Sequence, residues 1–325
     1  MNHYPIQMNK VAVTGGAGFV GTNLVRALLN QSTEVLVIDD FSTGLKSNLE
    51  GLDCDLAEIS LTDSIKVAKA LKECEYIFHL GARGSVPRSI KNPRATMEVN
   101  AIGTLNVLES ARATGATVAF SSSSSVYGSN LELPKNEKMW MAPLTPYAAS
   151  KLSGEALVES YSASYSIPAV TYRFFNIFGP WQRPDHDYAA VIPKWIWKLM
   201  QNESIEVFGD GNQSRDFTYV DTVVEVLIEG MKKGINHPSP INLAFGSRVT
   251  LNQAIDALRL KFPDLKVSHS QERSGDVRNS QNDPTLLKSI FPSITPIDFS
   301  EALEMTYQWF IENGASIVNG PRVTD

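Results

Sequence analysis

The sequence predicts an α/β fold, a Rossmann-type doubly wound parallel sheet with a smaller, interleaved C-terminal substrate domain. Three observations carry this. Over the first half of the chain, short β-branched apolar runs alternate with longer stretches of helical period, the pattern of βαβ units. A glycine-rich turn, TGGAGFVG, joins the first apolar run to the first helical stretch. From Gly179 onward the alternation is lost, and Pro180, Pro184 and Pro193 mix with Trp181, Trp195 and Trp197, a change of texture that marks the entry to a second domain.

In chain order the expected strands are 10–14 (KVAVT), 34–39 (EVLVID), 75–80 (EYIFHL), 116–122 (ATVAFSS) and 168–174 (PAVTYRF). Between them, Val20, Leu24, Ala27 and Leu28 share one helical face, and Val99, Gly103, Asn106 and Val107 share another. The run INLAF, 241–245, reads as one more strand that returns to the main sheet. The boundary is therefore expected to interleave: 1–178 with 219–248 forms the sheet domain, and 179–325 is mainly the second domain. No repeat recurs at a fixed period.

The 325 residues carry 29 Lys+Arg against 35 Asp+Glu, a net charge of −6. That balance argues against a nucleic acid or an anionic membrane as partner, because tracking a phosphate backbone takes a basic face. An apolar fraction of 43% with 20% charged residues suits a globular chain with real cores. Cys54 and Cys74 cannot staple a chain of this length and are expected as reduced thiols in a cytoplasmic protein. MNHYPIQMN does not read as a signal peptide, and no apolar run approaches the ~18 residues of a membrane span.

In the glycine turn, Gly16-x-Gly18-x-x-Gly21 fits the dinucleotide fingerprint. The glycines permit the tight turn and close backbone approach, and the following helix aims its N-terminus at a pyrophosphate. Such turns are common alone. This one follows an apolar strand, opens a helical pattern, and is followed 18 residues after Gly21 by Asp39 at the end of the second strand. A carboxylate there accepts from a ribose 2′-hydroxyl and repels a 2′-phosphate, so NAD is favoured over NADP.

Residues 121–125 are five serines. Alone they would read as a linker, but TVAF before and VYG after place them at the carboxyl end of a strand, where open parallel sheets bind ligands. Further on, Tyr147-x-x-x-Lys151 puts a phenol and an ammonium on one helix face. The ammonium is expected to lower the phenol's pKa from its usual value of about 10.

With these motifs in order, the chain resembles the extended short-chain dehydrogenase/reductase family, and within it the NAD-dependent nucleotide-sugar epimerases. The matching segments are TGGAGFVG, IDDFSTG, FHLGARGSVPRSI, EVNAIGTLNVLESA, SSSSSVYG, YAASK, YRFFNIFGP, YAAVIP, GDGNQSRDFTYVDT and ERSGDVRNSQND, nearly the whole chain. The resemblance implies Tyr147 as catalytic base, Lys151 as its electrostatic partner and nicotinamide-ribose ligand, and Ser123 as the hydroxyl bridging the sugar oxygen. It implies Gly15, Gly18, Phe19, Val20, Asp39, Asp55, Leu80 and Asn100 at cofactor-lining positions. Ser124 and Ser125 would touch the sugar, and Asn176, Arg215, Arg273 and Asp276 would hold the uridine diphosphate. Each arginine taken alone reads equally well as half of a surface ion pair. No metal site is implied.

The reaction so implied is 4-epimerisation through a 4-keto sugar, with the nucleotide held firmly and the sugar loosely. Relatives that dehydrate or decarboxylate the sugar carry an acid before VYG, where this chain has only serine. Ser280 stands where the family's 4-epimerases gate bulk at sugar carbon 2, and its small size leaves room for a 2-acetamido group; it also reads as a plain loop serine. Gly84, Ser85, Asn176 and Ala190 match epimerases that prefer N-acetylated UDP-hexoses. Arg83 departs from the usual apolar residue, and GPWQRPD resembles UDP-glucuronate 4-epimerases, in which the matching arginine, Arg183, pairs with a carboxylate; those enzymes usually have Thr where this chain has Asn176. UDP-glucose and its N-acetyl analogue are therefore expected ahead of UDP-glucuronate. A non-catalytic NAD-binding member is disfavoured by the presence of Ser123, Tyr147 and Lys151. By the same analogy a homodimer is expected, paired through helices near 95–115 and 147–165.

Overall fold

The computed structural model describes residues 10–185, 189–271 and 278–318, with the backbone alone at 315–317. The first half alternates as its periodicity demands: β1 (Lys10–Thr14), α1 (Phe19–Leu29), β2 (Glu34–Asp39), β3 (Asp55–Glu58), α2 (Ser64–Ala70), β4 (Tyr76–His79), α3 (Val86–Lys91), α4 (Pro93–Met97), α5 (Gly103–Thr114), β5 (Thr117–Ser123), α6 (Pro146–Tyr165) and β6 (Ala169–Phe174). There follow β7 (Asn176–Phe178), α7 (Val191–Met200), β8 (Ile205–Phe208), β9 (Ser214–Arg215), β10 (Phe217–Tyr219), α8 (Val220–Lys232), β11 (Ile241–Leu243), β12 (Val249–Thr250), α9 (Leu251–Arg259), β13 (Val267–Ser270), α10 (Thr285–Ile290) and α11 (Phe299–Val318).

Seven strands form one parallel sheet in the order β11-β6-β5-β4-β1-β2-β3. Its central strands are buried on both faces, and the period of two sends alternate residues to different cores. Val11, Val13, Tyr76, Phe78 and Ala119 face the core under α1 and α8. Ala12, Ile77, Val118 and Phe120 face the one under α5 and α6. INLAF does return to the sheet, with Ile241 opposite Tyr172 and Leu243 opposite Phe174.

A third core belongs to the smaller C-terminal α/β region. There Trp195, Ile196, Val207, Phe217, Leu258 and Phe310 pack together from α7, β8, β10, α9 and α11. Three two-stranded pairs, β7 with β10, β8 with β13 and β9 with β12, brace this region. Among the described residues no helix is long and apolar enough to cross a membrane.

Two differences from expectation bear on the site. The DLAE segment forms β3, an edge strand with exposed side chains and hence no apolar alternation to announce it. The helix expected through Val99 and Gly103 begins as a π-helical turn, Glu98–Ile102, before α5. A π turn takes an extra residue, which rotates the side-chain register. Val99 then faces the cavity described below, while Asn100 turns into the protein.

Candidate active site

Strand order reverses between β1 and β4, so the loops leaving their carboxyl ends diverge and open a crevice. A cavity of about 650 Å³ occupies it. One end is built by the glycine turn. The helix α1 opens at Gly18 without a side-chain cap, which leaves its first N–H groups to serve a ligand. Gly21 allows α1 to approach the turn, since a Cβ there would lie 2.1 Å from the Gly15 carbonyl oxygen and 2.7 Å from Gly16 Cα.

Asp39 organises this end. Its Oδ2 accepts from the Ala17 N–H at 3.0 Å and its Oδ1 from the Phe41 N–H at 2.8 Å. Burial pushes its pKa up, and the two N–H donors oppose that. Each oxygen keeps a lone pair for a ribose hydroxyl. Asn48 donates to the Ala17 carbonyl at 2.9 Å. Its Oδ1 is buried without a partner among the described residues, an acceptor lacking its donor in the wall of the cavity. Such an orphan is costly unless a ligand satisfies it. A glycine cradle, an uncapped helix N-terminus and the Asp39 and Asn48 acceptors in the cavity wall fit NAD.

At the other end β5 and α6 bring Ser123, Tyr147 and Lys151 together. Thr145 caps α6 by accepting from Ala148 N–H, and Pro146 opens its first turn, which fixes the helix start one residue before Tyr147. Ser123, Tyr147 and Lys151 all line the cavity. Lys151 is buried; its Nζ donates to the Ser121 carbonyl at 2.7 Å and lies 5.1 Å from the Phe120 ring centroid. Burial lowers its pKa to about 8, and the nearby Glu155 charge opposes that. Burial raises the Tyr147 phenol, and a hydrogen bond with Ser123 pulls it back. The lowering expected from Lys151 is thus not the dominant influence: burial wins, and the hydroxyl opposing it belongs to Ser123. Behind them His79 is held neutral, its pKa pushed down to about 3 by burial, with Lys151 adding to the effect. Its ring lies between the Thr14 and Thr104 hydroxyls at 2.8 and 2.9 Å.

The cavity also gathers Gly15, Gly18, Phe19, Val20, Leu80, Gly84, Asn176, Arg183, Ala190 and Arg215 from the residues singled out in the sequence. Arg183 is paired, donating from Nε and Nη2 to Asp185 at 2.9 and 2.6 Å. Arg215 donates from Nη1 to the Ser214 and Arg278 carbonyls, both at 3.0 Å.

Other expected residues stand elsewhere. Asp55 opens β3 at its amino end and pairs with Lys10 at 2.7 Å. A four-residue strand spans about 13 Å, so it is Leu61, beyond the carboxyl end, that reaches the cavity. Asn100 is buried behind the wall, accepting from Arg83 N–H at 2.7 Å and donating to Ser150 Oγ at 2.9 Å. Ser85 caps α3 and does not line the cavity. Ser124 and Ser125 open a 3₁₀ turn, Ser124–Tyr127, that follows β5, and do not line the cavity. Ser280 sits behind Asn176, whose Nδ2 lies 3.5 Å from its Oγ. Arg273 and Asp276 lie outside the described residues.

Arg88, Trp181, Gln182 and Phe217 line the cavity although sequence reasoning gave them no role there. For Arg88 the signal was its place in the GSVPRSI segment, and for Trp181 its place in GPWQRPD.

The family model described as NAD dependent epimerase/dehydratase family matches residues 11–244. A UDP-glucose 4-epimerase of Mycolicibacterium smegmatis is 31% identical over 93% of this chain and 98% of its own length. Among solved structures, a UDP-N-acetylglucosamine 4-epimerase from Methanobrevibacter ruminantium M1, in complex with UDP-N-acetylmuramic acid, is 36% identical with a TM-score of 0.89, covering 95% of this chain and 100% of that one. A UDP-glucose 4-epimerase from Thermotoga maritima with UDP-glucose is 31% identical with a TM-score of 0.88, covering 94% and 99%. A crevice at the switch point, a dinucleotide cradle at one end and a Ser–Tyr–Lys group at the other thus recur in a chain matched along most of its length, and it belongs to the NAD dependent epimerase/dehydratase family.

Proposed function

We propose that the chain is an NAD-dependent UDP-hexose 4-epimerase acting on UDP-glucose, UDP-N-acetylglucosamine and their 4-epimers. One observation carries this reading: among the described residues, the only carboxylates lining the cavity are Asp39 and Asp40, at the cradle end. Ser123, Tyr147 and Lys151 supply one proton-moving group and its support. A dehydration would need a second acid or base beside the sugar.

NAD held in this cradle would supply a reversible two-electron acceptor for the sugar carbon. Tyr147 takes the proton of the sugar 4-hydroxyl and later returns it, and Ser123 holds the same oxygen in line. The Lys151 ammonium favours the ionised phenol as the proton arrives and leaves. Arg215 meets the diphosphate with charge-assisted hydrogen bonds. Gly84 and Ala190 leave the sugar room to turn over and present its other face.

UDP-glucuronate is the second reading, favoured by Arg183 in the cavity wall. The Asp185 carboxylate already compensates that guanidinium, so a substrate carboxylate would meet a paired charge. Neutral sugars rank first for this reason. The proposed epimerase is a homodimer paired through the helices near 95–115 and 147–165, in keeping with exposed Ile102 and Tyr165.

The test is to incubate the protein, without added NAD, separately with UDP-glucose, UDP-N-acetylglucosamine and UDP-glucuronate, and to read the products by proton NMR. The first two are expected to reach a mixture of 4-epimers. Faster conversion of UDP-glucuronate, or a 6-deoxy-4-keto product, would overturn the assignment. Ser280→Tyr is expected to cut turnover of UDP-N-acetylglucosamine by at least about tenfold while leaving UDP-glucose little changed. Equal losses on both would show that position 280 does not sense the 2-substituent.

A further inference from the structure

Behind the reactive groups lies a buried polar cluster that the reaction as derived above does not use. Glu155 is one helical turn beyond Lys151 on α6, and Gly154 between them lets the helix lie against β5, where a Cβ would fall 2.4 Å from Phe120 Cζ. Glu155 Oε1 accepts from Ser122 Oγ at 2.5 Å and from Arg173 Nε at 2.9 Å; Oε2 accepts from Arg173 Nη2 at 2.8 Å. Arg173, on the neighbouring strand β6, also donates from Nη1 to the Tyr127 hydroxyl at 2.9 Å. Both members of the ion pair are at most 2% exposed.

These contacts share one purpose. Ser121, which holds the Lys151 ammonium, Ser122, which bonds Glu155, and Ser123, which lines the cavity with Tyr147, are consecutive residues of β5. The carboxylate thus ties the helix bearing Tyr147 and Lys151 to the strand bearing the serine, at the one place where both must keep register. We propose that Glu155, oriented by Arg173, is a positioning residue that holds Lys151 charged and in register with the serine strand. This rests on Tyr147 and Lys151 being the reactive groups.

The charged and titratable groups around Lys151 are Tyr147 and Glu155 on α6 and His79 on β4. Arg173 and Tyr127 stand behind Glu155, and Glu159 lies one turn further along α6. His79 is neutral across the working range, so Glu155 is the group that opposes the discharge of the ammonium. Without it the Lys151 proton leaves at lower pH. At a buried site of intermediate dielectric, a charge one helical turn away is worth about one pH unit.

The experiment is a pH titration of the holoenzyme labelled with ¹³C at the lysine ε-carbon, with Lys151→Met identifying the Lys151 signal, run on the parent, Glu155→Gln and Glu155→Gln/Arg173→Met. The parent midpoint is expected near the pKa of about 8. Glu155→Gln is expected about one pH unit lower, with the alkaline limb of kcat/KM moved equally, a tenfold loss on that side; the double variant, which also loses the Arg173 charge, is expected between it and the parent. The double variant replaces a buried ion pair with neutral groups, a change often tolerated. A merely structural role predicts the parent midpoint in Glu155→Gln itself, and that result would overturn the proposal. Failure of the double variant to fold would also overturn it, by showing that the pair is kept for stability. The titration does not depend on turnover: a parent that epimerises nothing refutes the reaction, while the Lys151 midpoints still judge Glu155.

Discussion

Tyr147→Phe is expected to lower kcat roughly a thousandfold while the protein retains its cofactor. The substitution removes one oxygen from a half-buried ring on the first turn of α6, at the far end of the cavity from the glycine cradle. Nothing in the cradle depends on that hydroxyl, since the helix start is set by Thr145 and Pro146. Bound NAD, read by its absorbance after heat release, should be close to stoichiometric. The loss should fall on kcat more than on KM, because the phenol acts on the proton in flight and contributes little to holding the nucleotide. Activity within a few-fold of the parent would remove Tyr147 from the role of base and leave the Ser123 hydroxyl as the remaining candidate.

Gly21→Ala should show the opposite pattern, losing NAD first and catalysis only as a consequence. A methyl group at this position would meet the Gly15 carbonyl oxygen at 2.1 Å, inside any tolerable contact, and the obstacle is backbone that cannot rotate aside. Either α1 shifts outward or the turn opens, and both spoil the cradle. Overpacking of this kind costs about 3 kcal/mol, which a thermal melt would report. Isothermal titration with NAD should show weakened binding, whereas Tyr147→Phe leaves it intact. Undiminished NAD affinity would mean that α1 can slide without disturbing the phosphate end, contrary to its close contact with the turn.

Much of this was legible in the sequence because the central strands are buried on both faces. Burial forces β-branched and aromatic residues into short runs, and β1, β2, β4, β5 and β6 announce themselves that way. Where burial is absent the signal fails. The exposed edge strand β3 looks like a loop in the sequence, and with no strand assigned there, nothing indicated that Asp55 lies a strand's length from the cavity and that Leu61 lies in its wall. Asn100 was lost to a π turn, which no periodicity of 3.6 anticipates. The braces β9 and β12 have two residues each, too few to carry any period. Arg183 was legible as a candidate, but its pairing with Asp185 was not, because a motif names side chains without saying what already neutralises them.

The reactive serine and the lysine anchor both hang from a single strand, β5, whereas Ala190 and Arg215 enter the cavity from the smaller C-terminal region. Proton handling and part of the substrate fit therefore have separate mechanical supports, although Gly84 lines the cavity from the sheet domain. Changes around Ala190, Arg215 and Ser280 are expected to leave the spacing between Ser123 and Lys151 unchanged. A scaffold divided in this way can drift toward a new sugar through changes in the outer segments alone, and grafting those segments from one relative into another would be the natural route to redirecting it.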